Sequence, residues 1–218
     1  MDTGRTPVLL IACGALAHEI TALMRANHWS HLEVQCLPAK LHNAPQLIPE
    51  AVRAKIRAAR RHYEQIFVLY GDCGTGGLLD QVLAEEKVER IAGAHCYEFF
   101  AGTPAFERLA EEEPCSFYLT DFLVRHFERL IIQGLGIDRH PELLPLYFGN
   151  YKRLVYLAQA PTPERIAEAR AAAARLGLAF AYQFTGYGDL ERALTTVGAE
   201  RDDESERSSQ PAMAAVGG

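Results

Sequence analysis

No window of the sequence reaches roughly eighteen apolar residues without a charge, so no membrane-spanning helix is expected. An apolar run does open the chain, Val8–Ala12, but it is too short and too early for a secretory signal. Excess positive charge is missing as well: 22 Lys and Arg stand against 28 Asp and Glu, a net charge of −6. Phosphate binding calls for a basic surface, so no nucleic-acid partner is expected. There is no C-x-x-C pair, and the five cysteines are unevenly spaced. Without an export signal they read as reduced thiols in a cytoplasm. A G-x-S-x-G elbow, a G-x-G-x-x-G fingerprint and the Lys-Ser/Thr of a P-loop are also absent, which removes the commonest hydrolase and nucleotide-binding readings.

What is present is ordinary globular composition, with 49% hydrophobic and 23% charged residues. A chain of 218 residues makes one large domain or two intimately packed small ones. It can bury a sizeable core unaided, so a bound metal would serve function more than folding.

Short apolar runs alternate with amphipathic segments. Strands are expected at Pro7–Ala12, Leu32–Leu37, Gln65–Tyr70, Val88–Ile91, Ser116–Leu119, Leu154–Gln159 and Leu178–Phe184. Helices are expected through Ala26, over Pro49–His62, Leu78–Glu86, Ala105–Glu112 and from Thr120 to about Gln133, the last with Leu123, Phe127, Leu130 and Ile131 on one face. Others follow over Pro141–Tyr151, from Thr162-Pro163 to Gly177, and from Asp189 to about Val197. This rhythm means an α/β fold, Rossmann-like, with mainly parallel sheet and flanking helices. Residues 1–197 form that domain, in two similar halves split near 103–116. Residues 198–218 are polar and then small, and are expected to be a disordered tail.

Parallel sheets bind ligands at the carboxyl ends of their strands. Cys13, Cys73 and Cys96 all fall at or just past such ends, and His95 precedes the third. Cys and His brought together from distant loops suit zinc, and three Cys also suit an iron–sulfur cluster with an open iron. The competing reading is three buried small hydrophobes. Cys36 and Cys115 read as structural.

The turn Gly71-Asp72-Cys73-Gly74-Thr75-Gly76-Gly77 has two readings. Gly74, Thr75, Gly76 and Gly77 form either an anion or cofactor cradle before the next helix or a plain strand-to-helix turn. His18 lies a helical turn past Cys13 and is expected to face solvent. Leu41-His42-Asn43 is a polar loop that its strand-end position makes a ligand contact. Tyr118, Thr120 and Asp121 surround another strand end, Asp121 as a first-turn helix acid. Tyr147–Tyr151 reads as core or interface packing. Arg53, Lys55, Arg57, Arg60 and Arg61 read as a solvated helix face.

Four segments carry a resemblance: Ala12-Cys13-Gly14, Tyr70-Gly71-Asp72-Cys73-Gly74, His95-Cys96 with Phe100-Ala101-Gly102, and Phe117-Tyr118-Leu119-Thr120. In these, over about Val8 to Val197, the chain resembles an uncharacterised domain family of bacteria and methanogenic archaea. Its members often occur beside corrinoid-dependent methylamine or glycine-betaine methyltransferases. Many members read His-Asp-Cys where this chain reads Ala94-His95-Cys96. The resemblance implies a setting in methyl-group or one-carbon metabolism with a corrinoid protein or methyltransferase as partner, and no established activity.

The expectation is therefore a cytoplasmic metal-binding protein, an enzyme or accessory factor of corrinoid-linked methyl transfer. Cys13, Cys73 and Cys96 hold the metal, zinc first, with His95 or His18 as a fourth ligand and an open position for a small-molecule ligand. An iron–sulfur enzyme or maturation factor, and a non-catalytic ligand-binding or docking module, are the alternatives.

Overall fold

A computed structural model describes residues 6–199. The expected tail begins, at residues 198 and 199, as the end of a helix; residues 200–218 lie outside the described residues.

Among the described residues, seven strands form two sheets, every pairing parallel. The first sheet has the order β2-β1-β3-β4, from β1 (Val8–Cys13), β2 (Leu32–Leu37), β3 (Gln65–Leu69) and β4 (Glu89–Arg90). The second has the order β5-β6-β7, from β5 (Ser116–Thr120), β6 (Arg153–Ala158) and β7 (Ala179–Phe184). The central strands show why the sequence builds this. β1 is VLLIAC, buried at every position, as a parallel strand covered on both faces must be. β6 is buried from Leu154 to Ala158 for the same reason. Two hydrophobic cores result, one on each sheet.

The helices in chain order are α1 (Ala17–Ala26), α2 (Ile48–Ala59), α3 (Leu78–Glu86), α4 (Glu98–Ala101), α5 (Thr103–Glu112), α6 (Asp121–Arg125), α7 (Leu143–Phe148), α8 (Pro163–Leu176) and α9 (Gly188–Ala199). Buried Ala169, Ala172 and Ala173 line the inner face of α8 in the second core. The last helix, α9, does not stay there: Leu190 and Leu194 are buried in the first core. Before α2, the Ala39–Asn43 and Pro45–Leu47 stretches are short 3₁₀ turns.

Three expectations change. The continuous helix from Thr120 to Gln133 is instead α6, a break, and a wider π turn over Glu128–Ile132. Its bond from Gln133 N–H to the Glu128 carbonyl, 2.8 Å, spans five residues and shifts the apolar face that follows. The helix expected over Pro141–Tyr151 shortens to α7. The basic face of α2 is not merely solvated: Arg53 and Arg57 reach Glu86 of α3 at 3.4 and 2.8 Å, and Arg60 donates to the Glu86 carbonyl. These pairs tie α2 to α3 at the edge of the first core.

Candidate functional site

The carboxyl ends of β1, β3 and β4 meet at one place. Cys13 is the last residue of β1 and precedes a 3₁₀ turn, Gly14–Leu16, that leads into α1. Cys73 follows β3 in a left-handed conformation, φ 49°. Its segment runs alongside the loop after β4, with Asp72 N–H on the Gly93 carbonyl at 3.1 Å and Cys73 N–H on the Ala94 carbonyl at 2.7 Å. That pairing brings Cys96 against Cys73.

Gly71 makes the approach possible. A Cβ there would stand 2.8 Å from the carbonyl carbon of His95 and 2.9 Å from its Cα, closer than real contacts allow. With only hydrogen in the way, Gly71 N–H points at Cys96 Sγ, 3.4 Å off. Cys96 Sγ lies 3.2 Å from Cys73 Sγ. All three thiols are buried and none is in a disulfide.

Their electrostatics follow from sharing protons. Cys96 has one thiol proton to share between Cys13 and Cys73, and those two contacts, with burial, push its ionisation far up. Cys13 falls to about 5, chiefly because Cys96 donates to it; burial opposes, and His42 and the Ala15 N–H at the helical turn assist. Cys73 also falls to about 5, again chiefly through Cys96, with His95 and the charge of His42 assisting against burial. His42 is raised in turn by its bond to Cys13, with burial opposing. Tyr70, 1% exposed, places its hydroxyl beside Cys13 without a conventional partner, and burial followed by the thiolate charges pushes it up.

The expected residues are therefore divided as follows. Cys13, Cys73, Cys96 and His95 come together. His18 does not: its side chain is 61% exposed and lies 3.9 Å from Glu19. Cys36 is half-buried within β2, paired in register with Ala12, and Cys115 is half-buried before β5. His42 joins the cluster because the 3₁₀ turn after β2 folds it back over Cys13. The only hint in the sequence was its position past a strand end.

The glycine turn is organised from within. The Asp72 carboxylate accepts from the Thr75 hydroxyl at 2.6 Å, from Gly77 N–H at 2.8 Å and from Gly76 N–H at 3.1 Å. These donors hold the Asp72 carboxyl below its usual range. The N–H groups of Gly76 and Gly77 that would cradle an anion thus already hold one, supplied by the chain. Gly74 faces the cavity described next.

Above the thiols lies a cavity of about 360 Å³ between the two sheets. Cys73, Cys96, His42 and His95 line one side; Phe122, Leu123, Leu130, Ile131 and Leu135, all from α6 and the π turn onward, line the other. Tyr97 connects the sides, stacked on His95 (4.8 Å between centroids, 16°) and on Tyr118 (5.6 Å, 21°). Tyr151 also lines it, while Tyr147 is exposed and Phe148 is buried in the second core.

The thiols are linked pairwise through Cys96. Among the described residues, no group of three or more His, Cys, Asp or Glu side chains stands ready-spaced around a metal ion. The 3.2 Å contact is that of sulfurs sharing a proton. Two thiolates on one tetrahedral zinc at about 2.3 Å each stand roughly 3.8 Å apart, so loading would need the pair to part by about half an ångström. The donor set suits zinc chemically: soft thiols, two of them already inclined to ionise, with imidazoles alongside.

No curated protein and no solved structure matches the chain. A family described as a protein of unknown function, DUF1638, matches residues 36–194, which takes in Cys73, His95, Cys96 and the whole second sheet but not β1 or Cys13. On that match, over more than half of its length, the chain belongs to the DUF1638 family.

Proposed function

We propose that Cys13, Cys73 and Cys96 form a thiolate site for one metal ion, zinc in the first instance, and that the cavity above it receives a small organic ligand. The observation that carries this is the meeting of three thiols, from three strand ends, through Cys96. His95 or His42 is placed to complete the ligand set or to leave one position open. A zinc ion held there supplies the lowering of a thiol's pKa that a methyl acceptor requires. The chain's own part is to hold the sulfurs in a site that the apolar residues of the second half shield from water. Cys96 keeps its proton until loading, when it must release it.

The setting is cytoplasmic corrinoid-linked methyl transfer, with a corrinoid protein or methyltransferase as the docking partner. Support for that part is the neighbourhood implied by the family resemblance alone. No helix among the described residues is long and apolar enough to cross a membrane.

Metal analysis of anaerobically purified protein is the test. One zinc per chain supports the reading. Several irons with matching sulfide would replace it with a cluster-binding enzyme or maturation factor. Protein that neither retains nor takes up metal would leave a ligand-binding or docking module.

A further inference from the structure

The cavity has a charge pattern that the thiols alone do not explain. Among the described residues, no Asp or Glu lines it. Lys40 does, from the same 3₁₀ turn that carries His42, and among the described residues it makes no ion pair. The opposite side is hydrocarbon from α6 and the π turn.

We propose that the ligand of this cavity is a small organic anion with an apolar body, its anionic end at Lys40 and its apolar body against the hydrocarbon of α6 and the π turn. Two features fix that orientation. Lys40 is exposed, so its partner stays at the mouth. The hydrocarbon walls offer an apolar stem the burial that small-molecule sites typically provide. This inference stands on the cavity lining and deepens the metal reading without depending on it.

The test is calorimetric titration with three molecules of one shape and different charge: phenylbutyrate, phenylbutanol and phenylbutylammonium. Each is run on reduced metal-free protein and on protein loaded with zinc. Phenylbutyrate is expected to bind about tenfold tighter than the alcohol, as one charge-assisted contact gives, and the ammonium weakest. Lys40→Gln should bring phenylbutyrate to the level of the alcohol. Leu130→Ser should weaken all three, with circular dichroism confirming that both variants keep the fold. Equal binding of the three, tightest binding of the ammonium, no binding of any, or an unchanged order in Lys40→Gln would each overturn the proposal. The same charge order with no zinc uptake would remove the metal reading and leave this one standing.

Discussion

Each half of the molecule places a polar cluster at the carboxyl end of its central strands, and the two clusters are built on opposite terms. In the second half the cluster is Asp121, at the start of α6. It accepts from the Tyr156 hydroxyl at 2.6 Å, from Ala160 N–H at 2.8 Å and from Gln159 N–H at 3.2 Å. Its own N–H donates to the Gln159 side chain at 2.9 Å. Both oxygens accept from the protein, filling three of about four acceptor sites, so this carboxylate is scaffold. In the first half the thiols have little to bond except one another, an imidazole on either side and single N–H groups. Sulfur bonds weakly, so such a cluster adds little to folding and stays available to a ligand. Saturation, more than location, separates the structural strand end from the chemical one.

The sharpest way to break this contrast is to exchange the effects. Cys73→Ser should reduce bound zinc from one per chain to none, while the melting temperature falls only slightly, because the turn is held by Asp72 and its donors and not by the sulfur. If the variant keeps full occupancy, Cys73 is not a ligand. If it fails to fold, the metal is structural, because its binding free energy would then be folding free energy. Asp121→Ala should do the reverse. Two buried donors and one part-buried donor lose their acceptor, at a cost of about 3 kcal/mol in denaturant unfolding, with zinc stoichiometry unchanged. Loss of zinc in a folded Asp121→Ala protein would show that the halves are not separate in this sense.

Gly71→Ala tests the approach of the two loops. Its Cβ would force the His95–Cys96 backbone away, costing about 1–3 kcal/mol as an overpacked site. Zinc affinity should fall with it, whereas the same substitution at Gly76, where a Cβ meets nothing within 4 Å, should spare the affinity and show only the strain of its left-handed backbone. Equal zinc affinity in the two variants would mean that the close approach is not what positions Cys96.

Much of this was legible in advance. The strands were, because a parallel strand covered on both faces must be a short apolar run, and VLLIAC and LVYLA are such runs. The grouping of Cys13, Cys73 and Cys96 was legible through the rule that parallel strands end on one side. The π turn was not, since Leu123, Phe127, Leu130 and Ile131 also satisfy an uninterrupted helix. In sequence His42 is a loop residue at a strand end, and nothing local marks its fold-back over Cys13. The glycine turn keeps two readings in sequence, an anion cradle or a plain strand-to-helix turn, because a sequence does not reveal that Asp72 accepts from its N–H groups. Asp121 was read as a first-turn acid, which it is; its bonds to β6 and the residues beyond come from tertiary packing.

The pH dependence of zinc binding offers a smaller but specific effect. Cys13 and Cys73 are lowered to about 5, which favours their thiolates at neutral pH, whereas Cys96 is raised, which favours its thiol. Loading should therefore release close to one proton from the thiols, and affinity should rise about tenfold per pH unit through the neutral range. A slope near three would mean that all three thiols hold their protons. The Asp72 turn gives the smallest effect. Its carboxyl is depressed in the folded state, so its contribution is present above the ordinary carboxylate range near pH 4 and is lost as pH falls below it. Asp72→Asn should remove that part of the acid sensitivity and leave zinc binding at neutral pH nearly unchanged.

Zinc-edge X-ray absorption on the reduced, zinc-loaded protein tests the central claim most directly, because it counts the sulfurs around the metal. Three sulfur neighbours at about 2.3 Å, with one lighter donor, are the predicted result. A shell of nitrogen and oxygen with one sulfur or none would contradict it, and the three thiols would then be no metal site.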